Sequence, residues 1–198
     1  MKTLKEALFN KKNMDKSSRT SPYNHKYEFT GETMNYLGHT LYRIKSLKNL
    51  SDYEVYKGDL GGWIESEDNL SFEKDSECWV FDNAMVFDNA TVSEYAIVFE
   101  DAKVYGDSKI SGTAQVHNKA EVYGNANLSD EVTVYEYAKV YGYAEVYGEA
   151  EIYGNAKVYG DAEIYGTAEI HGTAEVFGKS EIQSINIDSG KIKDKKLP

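Results

Sequence analysis

From Val80 to Ile182 every sixth residue is aliphatic, eighteen positions in succession without a miss. The series opens Val80, Val86, Val92, Val98 and closes Ile164, Ile170, Val176, Ile182. Two residues before each lies a small side chain, usually Ala, as at Ala84, Ala90, Ala96 and Ala144; Cys78, Ser108, Val132 and Ser180 are the exceptions. Two residues after, Gly fills ten of the eighteen sites, so the consensus reads Ala-x-Val-Tyr-Gly-x. Neither an amphipathic helix nor a plain strand has period six. A short strand followed by a turn does. The Ala and Val, two apart, point to one side of an extended segment, and Gly supplies the turn. Three such hexads make a triangular coil, and successive coils hydrogen-bond at ~4.8 Å. The pattern predicts an all-β fold, a left-handed parallel β-helix of hexapeptide repeats with three-sided coils around a thin Val/Ala core. Stability in such an array comes from stacking neighbours.

Ahead of the repeat, KYEFTGET (26–33) and TLYRIKSL (40–47) read as two strands joined by a turn around Asn35–Gly38, a short β-hairpin cap. Gly58-Asp59-Leu60-Gly61-Gly62-Trp63-Ile64 leads into the helix, where Ile64 and Leu70 start the first coil. An insertion of four residues around Phe72–Asp75 then resets the frame to Val80. The expected divisions are a flexible or short-helix arm over 1–25, the cap and first coil over 26–75, the β-helix over 76–184, and a Lys-rich terminal cap over 185–198. An open β-helix end would pair with other chains unless covered.

Charge sharpens this picture. The net charge of the 198 residues is −11, spread unevenly. Residues 76–184 hold six Lys/Arg against nineteen acids, whereas 1–25 hold six against two and 185–198 four against two. An acidic rod between weakly basic ends argues against direct nucleic-acid binding, because duplex affinity rests on neutralising phosphates. It suits a partner with a basic surface. The single cysteine, Cys78, cannot form an internal disulfide and fits a reducing compartment. No segment approaches ~20 apolar residues and the N-terminus lacks an apolar leader core, so a cytoplasmic protein without a membrane is expected.

The segments GDLGGWIESEDNLS (58–71) and CWVFDNAMVFDNATV (78–92), with the recurring A-x-V-Y-G, resemble a family of hexapeptide-repeat proteins common in bacteriophages and prophages. The likeness runs from about Lys26 to Glu181. It implies a β-helix of phage origin and brings no catalytic residues.

Residues eighteen apart stack, so outward columns can be read directly. Phe87, Tyr105, Tyr123, Tyr141, Tyr159 and Phe177 form one unbroken aromatic column. Phe81, Phe99, Tyr135 and Tyr153 belong to a second face, Tyr147 and Tyr165 to the third. Ring stacking is the plain function of such a column; a homo-oligomer interface, dimer or trimer, or a ligand platform is the alternative. Glu145, Glu163 and Glu181 form an acidic column, and Asp82, Glu100 and Glu136 another at a corner, interrupted by Asn118 and with Asp101 beside Glu100. These aromatic and acidic residues are the candidate binding residues, either as a solvated face or as a docking surface for a basic protein.

Many β-helix proteins of this type are acyltransferases, which use a His base at a walled cleft. His117 and His171 share a column three coils apart, roughly 14 Å, too far to act on one proton. His117, with Asp101 and Glu136 at nearby corners, is the one weak catalytic candidate. The repeat has no insertion to wall a pocket, and no zinc spacing, nucleophile elbow or phosphate-binding loop occurs. No cofactor and no metal are expected. The leading expectation is a non-catalytic, phage-type binding protein that inhibits a host defence or nucleic-acid-handling complex. An acyltransferase or its inactive relative, and a structural or polymer-forming protein, are the alternatives.

Overall fold

The aliphatic frame faces a common dry axis, as the six-residue period requires. The computed structural model describes residues 25–73 and 75–198, and these form an all-β parallel solenoid of about seven turns, the three-sided architecture of a left-handed β-helix. The expected N-terminal arm over 1–25 lies, apart from His25, outside the described residues. Two longer strands come first, β1 (Tyr27–Tyr36) and β2 (His39–Ser46), then β3 (Leu60–Ile64). From β4 (Trp79–Val80) to β24 (Lys196–Leu197) each strand is two or three residues long. Every strand contributes one aliphatic side chain to the axis and every third strand stacks on the same face. The result is one sheet of ten strands, which includes β1 to β3, and two sheets of seven.

Val98, Val116, Val134 and Ile152 stack in strict register on one face, and Val86, Val104, Val122 and Val140 on another. They are fully buried together with the residues two positions before them, alanines in every case but Val132. Burying a β-branched side chain contributes ~1.5–3 kcal/mol, so the stack outweighs the little that any two-residue strand supplies alone.

The corners explain the glycines. The residue two after each aliphatic position is left-handed, as at Gly106 (φ 73°), Gly124 (73°) and Gly142 (77°). A Cβ at Gly142 would sit 2.8 Å from the Gly160 amide nitrogen in the next coil. At most of the corners where the sequence puts Asp, Glu or Asn, the side chain offsets the strain by accepting a hydrogen bond from the stacked corner. Asp82 accepts from the Glu100 amide (3.2 Å), Glu94 from Gly112 (2.7 Å), Asn118 from Glu136 (3.2 Å) and Asp130 from Gly148 (3.0 Å).

The hairpin forms, with β1 running three residues further than expected, to Tyr36, and a tight turn at Leu37–Gly38 in which both residues have positive φ. Ile64 and Leu70 do start the first coil, under Val86 and Val92. The cap closes the N-terminal end by supplying donors to one carbonyl on each face. In regular coils these carbonyls accept an amide from the preceding coil, as Ala96 does from Trp79 and Ala102 from Met85. For the first three such positions, the backbone amide of Trp63 serves Ala84 (2.9 Å), the side-chain amide of buried Asn69 serves Ala90 (2.9 Å), and Lys26 Nζ serves Cys78 (2.8 Å). Lys26 is only 1 % exposed and its amine also lies 3.0 Å from Cys78 Sγ; burial holds its pKa below the ordinary lysine value.

At the other end the coil continues further than a period of six reveals. Residues 185–198, expected as a cap, wind one more turn: β22 (Asn186–Ile187), β23 (Lys191–Lys193) and β24. Ile187, Ile192 and Leu197 stack on Ile170, Val176 and Ile182. The corners here are one residue shorter, so the aliphatic spacing falls from six to five.

Candidate functional site

The outer walls carry the candidate residues. Along the first aromatic column, ring centroids from Phe87 through Tyr105, Tyr123, Tyr141 and Tyr159 to Phe177 are 4.8–5.0 Å apart, and the planes lie within 1–5° of parallel. The 4.8 Å coil repeat imposes this geometry, because identical rotamers one coil apart can only stack face to face. Phe87, expected on the open wall, is 2 % exposed. The hairpin folds over it, and Tyr36 (5.7 Å) and His39 (5.1 Å) pack on its ring. The remaining rungs are half-buried by one another.

Histidines form part of the second column, which runs Phe99, His117, Tyr135, Tyr153, His171 at 4.5–5.1 Å. His117 is a rung between Phe99 and Tyr135. Its nearest charged atom is Glu100 Oε2 at 4.0 Å, not the expected Asp101 or Glu136. Burial lowers the His117 pKa, partly opposed by Glu100. A ring clamped on both faces in a neutral-favouring setting is a stacking element.

Ladder hydroxyls reach carboxylates of the next coil: Tyr105 donates to Glu121 (3.3 Å), Tyr135 to Glu151 (3.2 Å) and Tyr153 to Glu169 (3.4 Å). Burial first, and the neighbouring glutamate second, raise these phenol pKa values above the usual range.

The acidic residues divide into two groups. The corner side chains of Asp82 and Glu100 are engaged locally: Asp82 caps the Glu100 amide, and Glu100 accepts from the Asn118 side chain. Asp101 accepts from Asn83 at 3.4 Å. Glu100, Asp101 and Glu136 line a shallow concavity of about 530 Å³ with Lys119 and Tyr137. On the flat faces, one column mixes lysines with glutamates and is ion-paired, with Lys139–Glu121 at 3.2 Å and Lys191–Glu175 at 2.8 Å. Glu145, Glu163 and Glu181 instead stack like on like, and only Glu181, beneath Lys196, has a cationic partner among the described residues.

The last coil carries the feature that six-residue scanning does not reach. Asn186, Lys191 and Lys196 stand in register over Glu169, Glu175 and Glu181, whose amides each donate to the coil above. Beyond β22, β23 and β24 no described strand follows, so each sheet ends on an unpaired edge over Ile187, Ile192 and Leu197. The sequence profile of one family, Bactofilin, described as polymer-forming cytoskeletal, matches residues 96–195, just over half of the chain, from the second regular coil into this last one. The chain belongs to the bactofilin family. No curated protein matches it. The bactofilin assignment agrees with the β-helix, and the comparisons give no support to the phage hexapeptide-repeat identity. Among the described residues no helix is long and apolar enough to cross a membrane.

Proposed function

We propose that this bactofilin is a structural, polymer-forming protein of the cytoplasm that associates with copies of itself through the last coil of its solenoid. The observation that carries the reading is the contrast between the two ends. Side-chain and backbone donors of the cap occupy one carbonyl on each face at the N-terminal end. Among the described residues, no strand pairs with the outer edges of the last three strands, which lie over an apolar floor. Unpaired edges are templates for another chain, and a second copy brings the same edge in reverse, the self-complementary arrangement of a two-fold contact. Electron microscopy of the concentrated chain tests this. Elongated assemblies are expected, and Ile192→Asp, which puts a charge on the floor, abolishes them while leaving the monomer folded. Assemblies indifferent to this substitution would refute the last coil as the contact.

The reading as a phage-type inhibitor of a host complex ranks behind this one. It depended on a free acidic surface, and part of that surface is occupied in capping corners. Glu145 and Glu163, stacked like on like with no cationic partner among the described residues, are what favours it, through a basic partner. The two readings predict opposite salt responses: rim-type charge attraction weakens with salt, whereas copies meeting through the lysines at 191, 193, 195 and 196 associate more readily as salt rises.

A further inference from the structure

A second cluster lies where the hairpin meets the first coil. His39 opens β2, Glu65 follows β3, and Asp88 occupies the corner after β5 (Met85–Val86). The imidazole stands between the carboxylates. Its Nδ1 is 3.2 Å from both oxygens of Glu65, and its Nε2 is 3.5 Å from Asp88 Oδ1. One ligating atom from each of the three residues lies within 4.8 Å of those of the other two.

The supporting frame is fixed. Glu65 Oε2 accepts the Asp88 amide (2.8 Å), and Asp88 Oδ2 accepts the Gly106 amide (3.1 Å). Glu65 Oε1 and Asp88 Oδ1 are thereby left facing the ring. Beneath them, fully buried Asn69 accepts the Glu65 amide (3.1 Å) and donates to the Asp88 carbonyl (3.0 Å), so one side chain holds both backbones. Phe87 packs on the imidazole face. The three side chains remain 30–34 % exposed, open enough for a cation to enter.

We infer that His39, Glu65 and Asp88 form a binding site for a divalent transition-metal cation, of which zinc is the best fit. One nitrogen and two carboxylate oxygens, with water completing the sphere, are a donor set for zinc rather than for the all-oxygen preference of calcium or magnesium. Ligand atoms around tetrahedral zinc are ~3.4 Å apart, as its bond lengths dictate. The His39–Glu65 separation already meets this, at Nδ1; Asp88 Oδ1, which now faces Nε2, turns towards the Nδ1 side to complete the set. Backbone amides orienting the carboxylates supply the outer hydrogen bonds that such ligands need. The three ligands come from the hairpin, the strand after it and the first coil, so the cation ties the cap to the solenoid and binds only the folded chain.

Calorimetric titration of the chelator-treated, untagged full chain with zinc chloride tests the site. About one cation per chain is expected, with a rise in melting temperature that chelator reverses, and no comparable effect of calcium or magnesium. His39→Ala weakens zinc binding more than tenfold, and Glu65→Gln does likewise while keeping an oxygen to accept the Asp88 amide. Because His39→Ala also removes a contact to Phe87, Asp88→Asn serves as a third variant, since Asn suits the left-handed corner and retains the acceptor for Gly106. Absence of zinc binding to the native chain overturns the inference. So does zinc binding that is unchanged in the variants, which would place the cation on the surface glutamate columns.

Discussion

At the scale of single residues, the left-handed corner is the most constrained position in each hexad. Gly142 has φ 77° and no room for a Cβ beside the Gly160 amide. Gly142→Ala therefore loses about 1–3 kcal/mol from backbone strain and crowding, read as a lower urea midpoint; an unchanged midpoint would mean that the corners yield easily. The same position explains the tolerance for acids in earlier coils, because Asp, Glu and Asn return a hydrogen bond to the next corner. The stacked phenols bring a pH dependence. Both folded and unfolded chains keep tyrosine protonated below pH ~10. Above it the unfolded chain loses protons first, because Tyr105, Tyr123, Tyr135 and Tyr141 have raised pKa values in the fold. The unfolded state then binds fewer protons, and stability falls as pH climbs. Melting temperatures should drop steeply above pH ~10, with phenolate absorbance lagging behind that of free tyrosine. Ordinary phenol titration without unfolding would contradict the ladder's burial.

At the scale of elements, the cap and the coils obey different rules. Each coil is sealed by its neighbour, whereas the first coil needs substitutes. Asn69 is such a substitute: its side-chain amide satisfies the carbonyls of Ala90 and Asp88, and its oxygen accepts two backbone amides. Asn69→Ala leaves these buried groups unpaired, which costs about 1–3 kcal/mol for such a group, and should show as early melting of the cap in hydrogen exchange while the later coils stay protected. Uniform protection in that variant would mean that the cap does not depend on Asn69. The coils were legible in the sequence because an uninterrupted six-residue period has one physical solution. Ile64 and Leu70 could be placed because they keep the apolar spacing before the insertion. The last turn was hidden by a change of spacing from six to five, which leaves Ile187, Ile192 and Leu197 out of frame. The hairpin could be foreseen, but its folding over Phe87 could not, since the pairing of Tyr36 and His39 with that ring is set by the path of the chain through residues 47–60. For the same reason His39, Glu65 and Asp88 carry no motif: they lie 26 and 23 residues apart in sequence and meet only in three dimensions.

At the scale of the whole molecule, the solenoid is polar in construction. Its N-terminal end is closed by Lys26, Trp63 and Asn69, whereas no described strand pairs with the outer edges of its last coil. On the proposed reading, lengthwise contact through the last coil pairs two rods. Lys191 and Lys196 are matched to Glu175 and Glu181, whereas Lys193 and Lys195 have no ion-pair partner among the described residues. Two last coils that meet must bring these lysines together, a repulsion that salt screens over ~10 Å at 0.1 M.

Light scattering of the purified chain, with protein concentration and salt raised independently, tests self-association most directly. The mass is expected to climb from 22.3 kDa to at least twice that value, more readily at high salt. A mass that stays at that of one chain throughout, or assemblies that salt takes apart, would contradict a polymer-forming rod joined through its last coil.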